Sequence, residues 1–141
     1  MNIEPADNRI ETCIAVRIKV FVEEQKVPLE MERDEYDDPG KSREFLLMEG
    51  SDPIGTFRII RESESVAHLQ RICILKEYRK KGYGAEILNF CDRFCRVNGY
   101  DCITLDAQCH AIGFYEKSGY AVCSAEFMDA GIPHRKMAKR L

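Results

Sequence analysis

No apolar run in this 141-residue sequence approaches the roughly 20 residues needed to span a bilayer, so no membrane helix is expected. The first residues, Met1-Asn2-Ile3-Glu4-Pro5, lack the basic-then-apolar order of a secretory signal, and a cytoplasmic protein is expected. A basic surplus is also missing: 21 Lys and Arg stand against 24 Asp and Glu, a formal net charge of -3. Nucleic-acid binders gather positive charge on one face, so nucleic acid is not an expected partner, nor is a membrane surface. Tight Cys/His pairs of the kind that hold zinc are absent too. Cys91 and Cys95 lie four apart on a predicted helix, and Cys109 and His110 are adjacent and point in different directions. No metal is expected, and the seven cysteines (Cys13, Cys73, Cys91, Cys95, Cys102, Cys109 and Cys123) read as small buried hydrophobes. Repeats, low-complexity stretches and linkers are likewise lacking. What remains is a chain 45% hydrophobic and 32% charged, which suits one folded domain over residues 1–141.

Asp7 or Asn8 can cap a helix in which Ile10, Ile14, Arg17, Ile18 and Phe21 fall near one face, and that helix should fade before Pro28. Glu30–Gly40 reads as a solvated acidic loop, with capture of a cationic acceptor as its other use. Strands over Glu44–Met48, Ile54–Ile60 and Val66–Leu75 form an antiparallel meander. The period then changes. Gly82–Val97 is helical by its spacing of Ile87, Leu88, Cys91, Phe94 and Cys95, and Asn98-Gly99 stops it. Cys102–Leu105 is a short buried strand and Ala111–Lys117 a short helix. Tyr120–Cys123 and Arg135–Ala138 are final strands joined through Gly131-Ile132-Pro133-His134. The fold class is α/β in the α+β sense: a mixed, mostly antiparallel central sheet flanked by helices.

The informative stretch is Arg71-Ile72-Cys73-Ile74-Leu75-Lys76-Glu77-Tyr78-Arg79-Lys80-Lys81-Gly82-Tyr83-Gly84-Ala85. An apolar strand ends, a basic loop with two glycines comes next, and a helix begins. The first N–H groups of a helix lack intrahelical partners and carry partial positive charge, so they suit phosphate oxygens. Gly82 and Gly84 let the backbone approach such a ligand. A Walker loop fails, because Gly84 is followed by Ala85-Glu86. A dinucleotide fingerprint fails at Ile87. A plain strand-to-helix turn with a solvated basic rim is the alternative for the loop taken alone.

The stretch resembles the acetyl-CoA-binding motif of the GNAT superfamily of N-acetyltransferases. Ala111-Ile112-Gly113-Phe114-Tyr115-Glu116-Lys117-Ser118-Gly119-Tyr120 is similar to that family's Ala-x-x-Phe-Tyr-x-Lys-x-Gly-Phe segment. Arg17 to Pro28 and Ala130-Gly131-Ile132-Pro133-His134 resemble a bacterial YjcF/ElaA-like subgroup. The four matches run in order along nearly the whole chain. The resemblance implies an N-acetyltransferase with acetyl-CoA as cosubstrate, an unidentified and small primary-amine acceptor, and a monomer or homodimer. A non-catalytic acyl-CoA-sensing module, or a protein or peptide N-acetyltransferase, is the alternative.

Residue by residue, the resemblance assigns the cofactor to Ile72, Cys73, Ile74, Arg79, Lys80, Lys81, Gly82, Tyr83, Gly84, Ala85, Gln108 and Tyr115. The main chain of Ile72–Ile74 would meet the pantetheine and the thioester carbonyl. Tyr115 would act as acid toward the leaving thiolate; a half-buried structural tyrosine is its alternative. Gln108 stands where many relatives carry Asn, with capping of the next helix as its other use. An amine of pKa about 10.4 must lose a proton before it attacks near pH 7, which requires a base. Gln70 cannot serve. His68 and Glu24 are candidates, although His68 also reads as an exposed strand residue. Arg17, Glu24, Gln25 and Arg71 are acceptor-pocket candidates or, equally, an internal salt-bridge network. His134 reads as structural.

Overall fold

The computed structural model of the protein describes every residue, Met1–Leu141. Its eight strands are β1 (Asn2–Pro5), β2 (Arg43–Glu49), β3 (Asp52–Arg61), β4 (Val66–Ile74), β5 (Cys102–Gln108), β6 (Ala121–Val122), β7 (Phe127–Asp129) and β8 (Ile132–Arg140). Its three α-helices are α1 (Ile10–Arg17), α2 (Tyr83–Val97) and α3 (Ile112–Glu116). The hydrogen-bonded strand order is β1-β2-β3-β4-β5-β8-β6, with β7 also on β8; β4 and β5 run parallel, whereas β1–β2, β2–β3, β5–β8, β6–β8 and β7–β8 are antiparallel. This is the mixed, mostly antiparallel sheet that the sequence predicts. By contact density the chain sorts into two compact units, residues 1–60 with 70–84, and residues 61–69 with 85–141.

In the first unit, Phe45–Met48 are all buried, so β2 is apolar on both faces rather than alternating. On one face Phe45 stacks across the strand pair on Phe57, with ring centroids 5.0 Å apart. On the other, Leu46, Met48 and Cys73 pack with Ala6, Cys13, Val16 and Val20. The predicted first helix is not one uniform α-helix. After Arg17 the chain widens into a π-helical segment, Ile18–Glu24, which ends where Lys26 takes a positive φ of 64°. Capping by Asp7 or Asn8 is also overturned. Arg9 occupies the N-cap without a side-chain bond to the helix, while the Asp7 carboxylate accepts the Glu44 N–H at 3.0 Å and so ties the start of β2.

The second unit is built on β5. It pairs with the first half of β4 from Val66↔Cys102 to Leu69↔Leu105, and with β8 along its full length. Helix α2 buries Ile87, Leu88, Cys91 and Cys95 along one stripe and ends as predicted at Gly99, whose φ is +85°. The expected final connection is corrected. Ile132 and His134 already belong to β8, and Ala130-Gly131 forms the tight turn of a β7–β8 hairpin. The reading of all seven cysteines as buried holds for Cys13, Cys73, Cys91 and Cys95, but Cys123 is exposed and Cys102 and Cys109 are half-buried. Burial pushes the thiol of Cys13 up to about 11 and those of Cys73 and Cys95 up to about 12, so these three are protonated packing groups near neutral pH.

Candidate functional site

Strand β4 changes character at Arg71. Its pairing to β5 stops at Leu69, and Arg71 has a φ of 55°, a left-handed conformation inside a strand. A left-handed residue interrupts the regular strand conformation and re-aims the residues beyond it. Past Arg71, β4 stays with β3. The Leu75 N–H donates to the Ile54 carbonyl at 2.8 Å, and a Cβ on Gly55 would stand 2.8 Å from the Cys73 carbonyl oxygen. Gly55 is therefore required by the close approach of the two backbones. Because peptide groups alternate along a strand, Ile72 and Ile74 turn theirs to the side away from β3. The Ile74 carbonyl accepts Arg79 Nε at 2.9 Å there.

The basic loop comes next. Lys76–Tyr78 make one 3-10 turn, Lys80 takes a φ of 62° and Gly82 one of 81°, and α2 starts at Tyr83. Alternation of left-handed with ordinary residues is the backbone pattern of which anion-binding nests are made. Nothing lies within 4 Å of where a Cβ on Gly82 would be, so Gly82 is required by its backbone angle and leaves open space at the helix start. Lys80 and Lys81 are exposed, with the Lys81 ammonium 5.3 Å from the Tyr78 ring centre. Tyr83 instead points its hydroxyl to Glu49, donating at 2.8 Å.

The acceptor-pocket candidates divide. Arg17 is fully buried: its guanidinium pairs with both Asp37 oxygens at 2.8 Å, with Glu32 at 2.8 Å and with Glu44 at 3.3 Å. Arg58, a residue sequence reasoning missed, joins it through Asp37 at 3.1 Å and Asp34 at 2.6 Å. Gln70 accepts from Arg58, and Arg71 reaches Asp34 at 3.2 Å and Glu32 at 3.4 Å. The acidic run is thus only partly a solvated loop. Glu32 and Asp37 are buried counter-ions, and Asp34 caps the short turn Glu35–Asp37. The spacing of Glu32, Asp34 and Asp37 is the sequence signal for this cluster, with Arg17 as the unmatched charge. Burial opposes ionisation of Asp37, but the Arg17 bond, the Asp34 N–H and the guanidinium charges of Arg17 and Arg58 outweigh it and hold the carboxyl at about 2. Glu24 is elsewhere, on the surface, bonded through both oxygens to Arg79 at 2.5 and 2.7 Å. That bond lowers its pKa. Gln25, next to it, is half-buried.

In the second unit, His68 is not the exposed strand residue expected. It is buried because its partners lie on the adjacent strand and hairpin. His68 Nδ1 sits 2.7 Å from Thr104 Oγ1, and the Thr104 hydroxyl donates to Glu62 Oε1 at 3.0 Å. With the single hydroxyl proton directed to Glu62, Nδ1 must be the donor, so Nε2 is the basic nitrogen of the neutral ring. Asp106 Oδ2 lies 3.7 Å from Nε2. Tyr115 is half-buried on α3, edge-on to Phe114 and Tyr120, and burial first, then Cys91, pushes its hydroxyl up to about 12. Gln108 does not cap the following turn with its side chain; its Oε1 accepts from His110 Nε2 at 2.7 Å. His134 holds the β7–β8 hairpin, with Nδ1 2.7 Å from the Ile132 carbonyl and its ring stacked on Phe127. No group of three or more His, Cys, Asp or Glu side chains is placed to share a metal ion, and no helix is long and apolar enough to cross a membrane.

Residues 9–141 match the family model described as "Acetyltransferase (GNAT) domain". The chain is 38% identical to the Bacillus subtilis protein named "Uncharacterized N-acetyltransferase YjcF", over 94% of each chain. Its fold matches the crystal structure of Escherichia coli ElaA with a TM-score of 0.83 at 23% identity, covering 94% of this chain and 90% of ElaA. It also matches, with a TM-score of 0.63 at 11% identity, a GNAT family acetyltransferase from Elizabethkingia anophelis solved with acetyl-CoA bound, over 72% of this chain and 77% of that one. The left-handed residue in β4, the basic loop at a helix start and the family match over residues 9–141 agree, and the chain belongs to the GNAT family of acetyltransferases.

Proposed function

We propose that this protein, acting as one domain, moves an acetyl group from acetyl-CoA to the primary amine of a small acceptor. The observation that carries this reading is the loop Arg79–Gly84, where left-handed Lys80 and Gly82 and open space at Gly82 precede the first amides of α2. Those groups fit a pyrophosphate: fixed N–H donors, flanking lysines and no side chain in the way. The acetyl-CoA bound to the Elizabethkingia relative supports the same ligand here. When bound, the thioester supplies the activated acyl group. The chain must then hold the carbonyl, take a proton from the amine and stabilise the departing sulfur. The amides that Ile72 and Ile74 turn away from β3 suit the first task.

For the second, His68 is the candidate that its surroundings favour. Glu24 is tied to Arg79, which lowers its basicity, whereas His68 has Nδ1 fixed by Thr104 and Glu62 and a carboxylate near Nε2 to steady a protonated ring. For the third, Tyr115 keeps its proton at neutral pH and can donate to the developing thiolate. An acetyltransferase mechanism of this kind favours a turnover enzyme over a sensing module.

Gly82→Glu fills the open space, strains the left-handed turn and adds a like charge. Calorimetry should then show coenzyme A binding weakened at least about a hundredfold, some 2.7 kcal/mol; near-normal affinity would remove the loop from the site. Tyr115→Phe and His68→Gln should each lower kcat by about a hundred- to ten-thousandfold, on whichever amine of a panel releases free thiol, with coenzyme A affinity little changed. An unchanged kcat in either variant withdraws that residue from the mechanism.

A further inference from the structure

The segment ending in Glu23-Glu24-Gln25 accompanies the phosphate loop in this sequence, yet the proposed mechanism gives Glu24 no role. All three nitrogens of the Arg79 guanidinium are engaged. Nη1 and Nη2 donate to the two Glu24 oxygens at 2.5 and 2.7 Å, and Nε donates to the Ile74 carbonyl at 2.9 Å. Three of the five N–H groups of a guanidinium are thereby used, and the plane of the group is fixed. A planar fork facing a carboxylate in this way is the strong, direction-setting form of the ion pair.

Its location gives the contact a purpose. Arg79 is the residue immediately before Lys80, whose φ of 62° is costly for a residue with a Cβ. Such a conformation persists only where its surroundings over-determine it. Arg79 supplies that constraint from one side by joining the loop to the end of β4 and to the end of the π-helical segment. The wider π-turn rotates the residues after Arg17 relative to an α-helix, and it is the element that presents Glu24 to the loop. Lys19, Glu23, Glu24, Leu75, Lys76 and Glu77 line a cavity of about 330 Å³, and the Arg79 fork spans from the loop to the helix beside it.

We propose that Glu24 is a positioning residue for the phosphate loop: it fixes Arg79, which fixes the backbone at Lys80–Gly82, and Arg79 stays paired to Glu24 rather than leaving it for the phosphates. The anion is then met by main-chain amides and by Lys80 and Lys81. This rests on the reading of Arg79–Gly84 as the pyrophosphate site. Glu24 is accordingly neither the base nor an acceptor contact, and the ionised state its depressed pKa secures is the one the clamp needs.

The test compares Glu24→Gln, Arg79→Ala, the double variant Glu24→Gln/Arg79→Ala and the exchange Glu24→Arg/Arg79→Glu, using coenzyme A itself as the calorimetric probe. An exposed pair of this kind is worth up to about 1 kcal/mol, about fivefold. Each single variant should weaken coenzyme A by about that factor. The double variant should be no weaker than either single, and the exchange should recover most of the loss. In the ligand-free protein, amide exchange at Lys80–Gly82 should quicken in both single variants while the thermal midpoint stays near that of the wild type. If Arg79 instead leaves Glu24 to bind phosphate, Glu24→Gln will hold or tighten coenzyme A, Arg79→Ala alone will weaken it, and the exchange will be the worst of the set; that pattern overturns the proposal. Normal affinity in Gly82→Glu overturns the site reading and this proposal together, whereas loss in Gly82→Glu with indifference in Glu24→Gln overturns this proposal alone.

Discussion

Arg17 and Arg79 make the same contact, a two-pronged fork on a carboxylate, in surroundings that differ in one respect: water. The Arg17–Asp37 pair has no exposed side-chain surface, while Arg79 and Glu24 are each 36% exposed. In water the fork orients a loop and contributes little stability, because solvent competes for both charges. Out of water the attraction is stronger, but each charge needs full compensation, so one arginine draws in Asp37, Glu32 and Glu44, and Arg58 with them. One cluster lies in the interior of the fold; the other ties a surface loop to a helix end.

The sharpest way to break this contrast is to delete each arginine. Arg17→Ala strands buried carboxylates and should cost about 3–5 kcal/mol in denaturant unfolding, enough to unfold a marginal domain. Arg79→Ala should cost no more than about 1 kcal/mol by the same measurement. Similar losses would mean that burial does not separate the two pairs.

Acid gives a second, smaller contrast. The Asp37 carboxyl is held at about 2 in the fold, below its ordinary 3.8. Its folded-state pKa is depressed, so its contribution is complete above pH 3.8 and disappears as pH falls through 2. A shift of that size corresponds to about 2–3 kcal/mol. Urea midpoints between about pH 5 and pH 2 should therefore fall more steeply in the wild type than in Asp37→Asn. Parallel slopes would show that Asp37 does not carry the acid response.

Much of the fold is legible in the sequence. Helix α2, strands β2 to β4 and the basic loop arise from local signals: apolar period, a turn glycine, a helix start after a basic run. Strand β1 is not legible, because four residues with a single strong strand former, Ile3, carry no period of their own; pairing with β2 makes them a strand. The π-helical turn after Arg17 escapes for a similar reason, since its sequence is compatible with an ordinary helix. Among candidate site residues, Arg17 and Glu24 look alike as charged members of one helix. Their fates diverge only when β2 and the acidic loop close over the first and leave the second at the surface.

By itself, then, the sequence determined helix α2, strands β2 to β4, the family and the place where the basic loop meets a helix start, because each depends on residues within short windows. Tertiary structure alone decided which charges are buried, that His68 sits inside a Thr104–Glu62 relay, and that Arg79 is held by Glu24. These contacts join residues 36 to 55 positions apart, and whether water reaches them depends on packing that no local window contains.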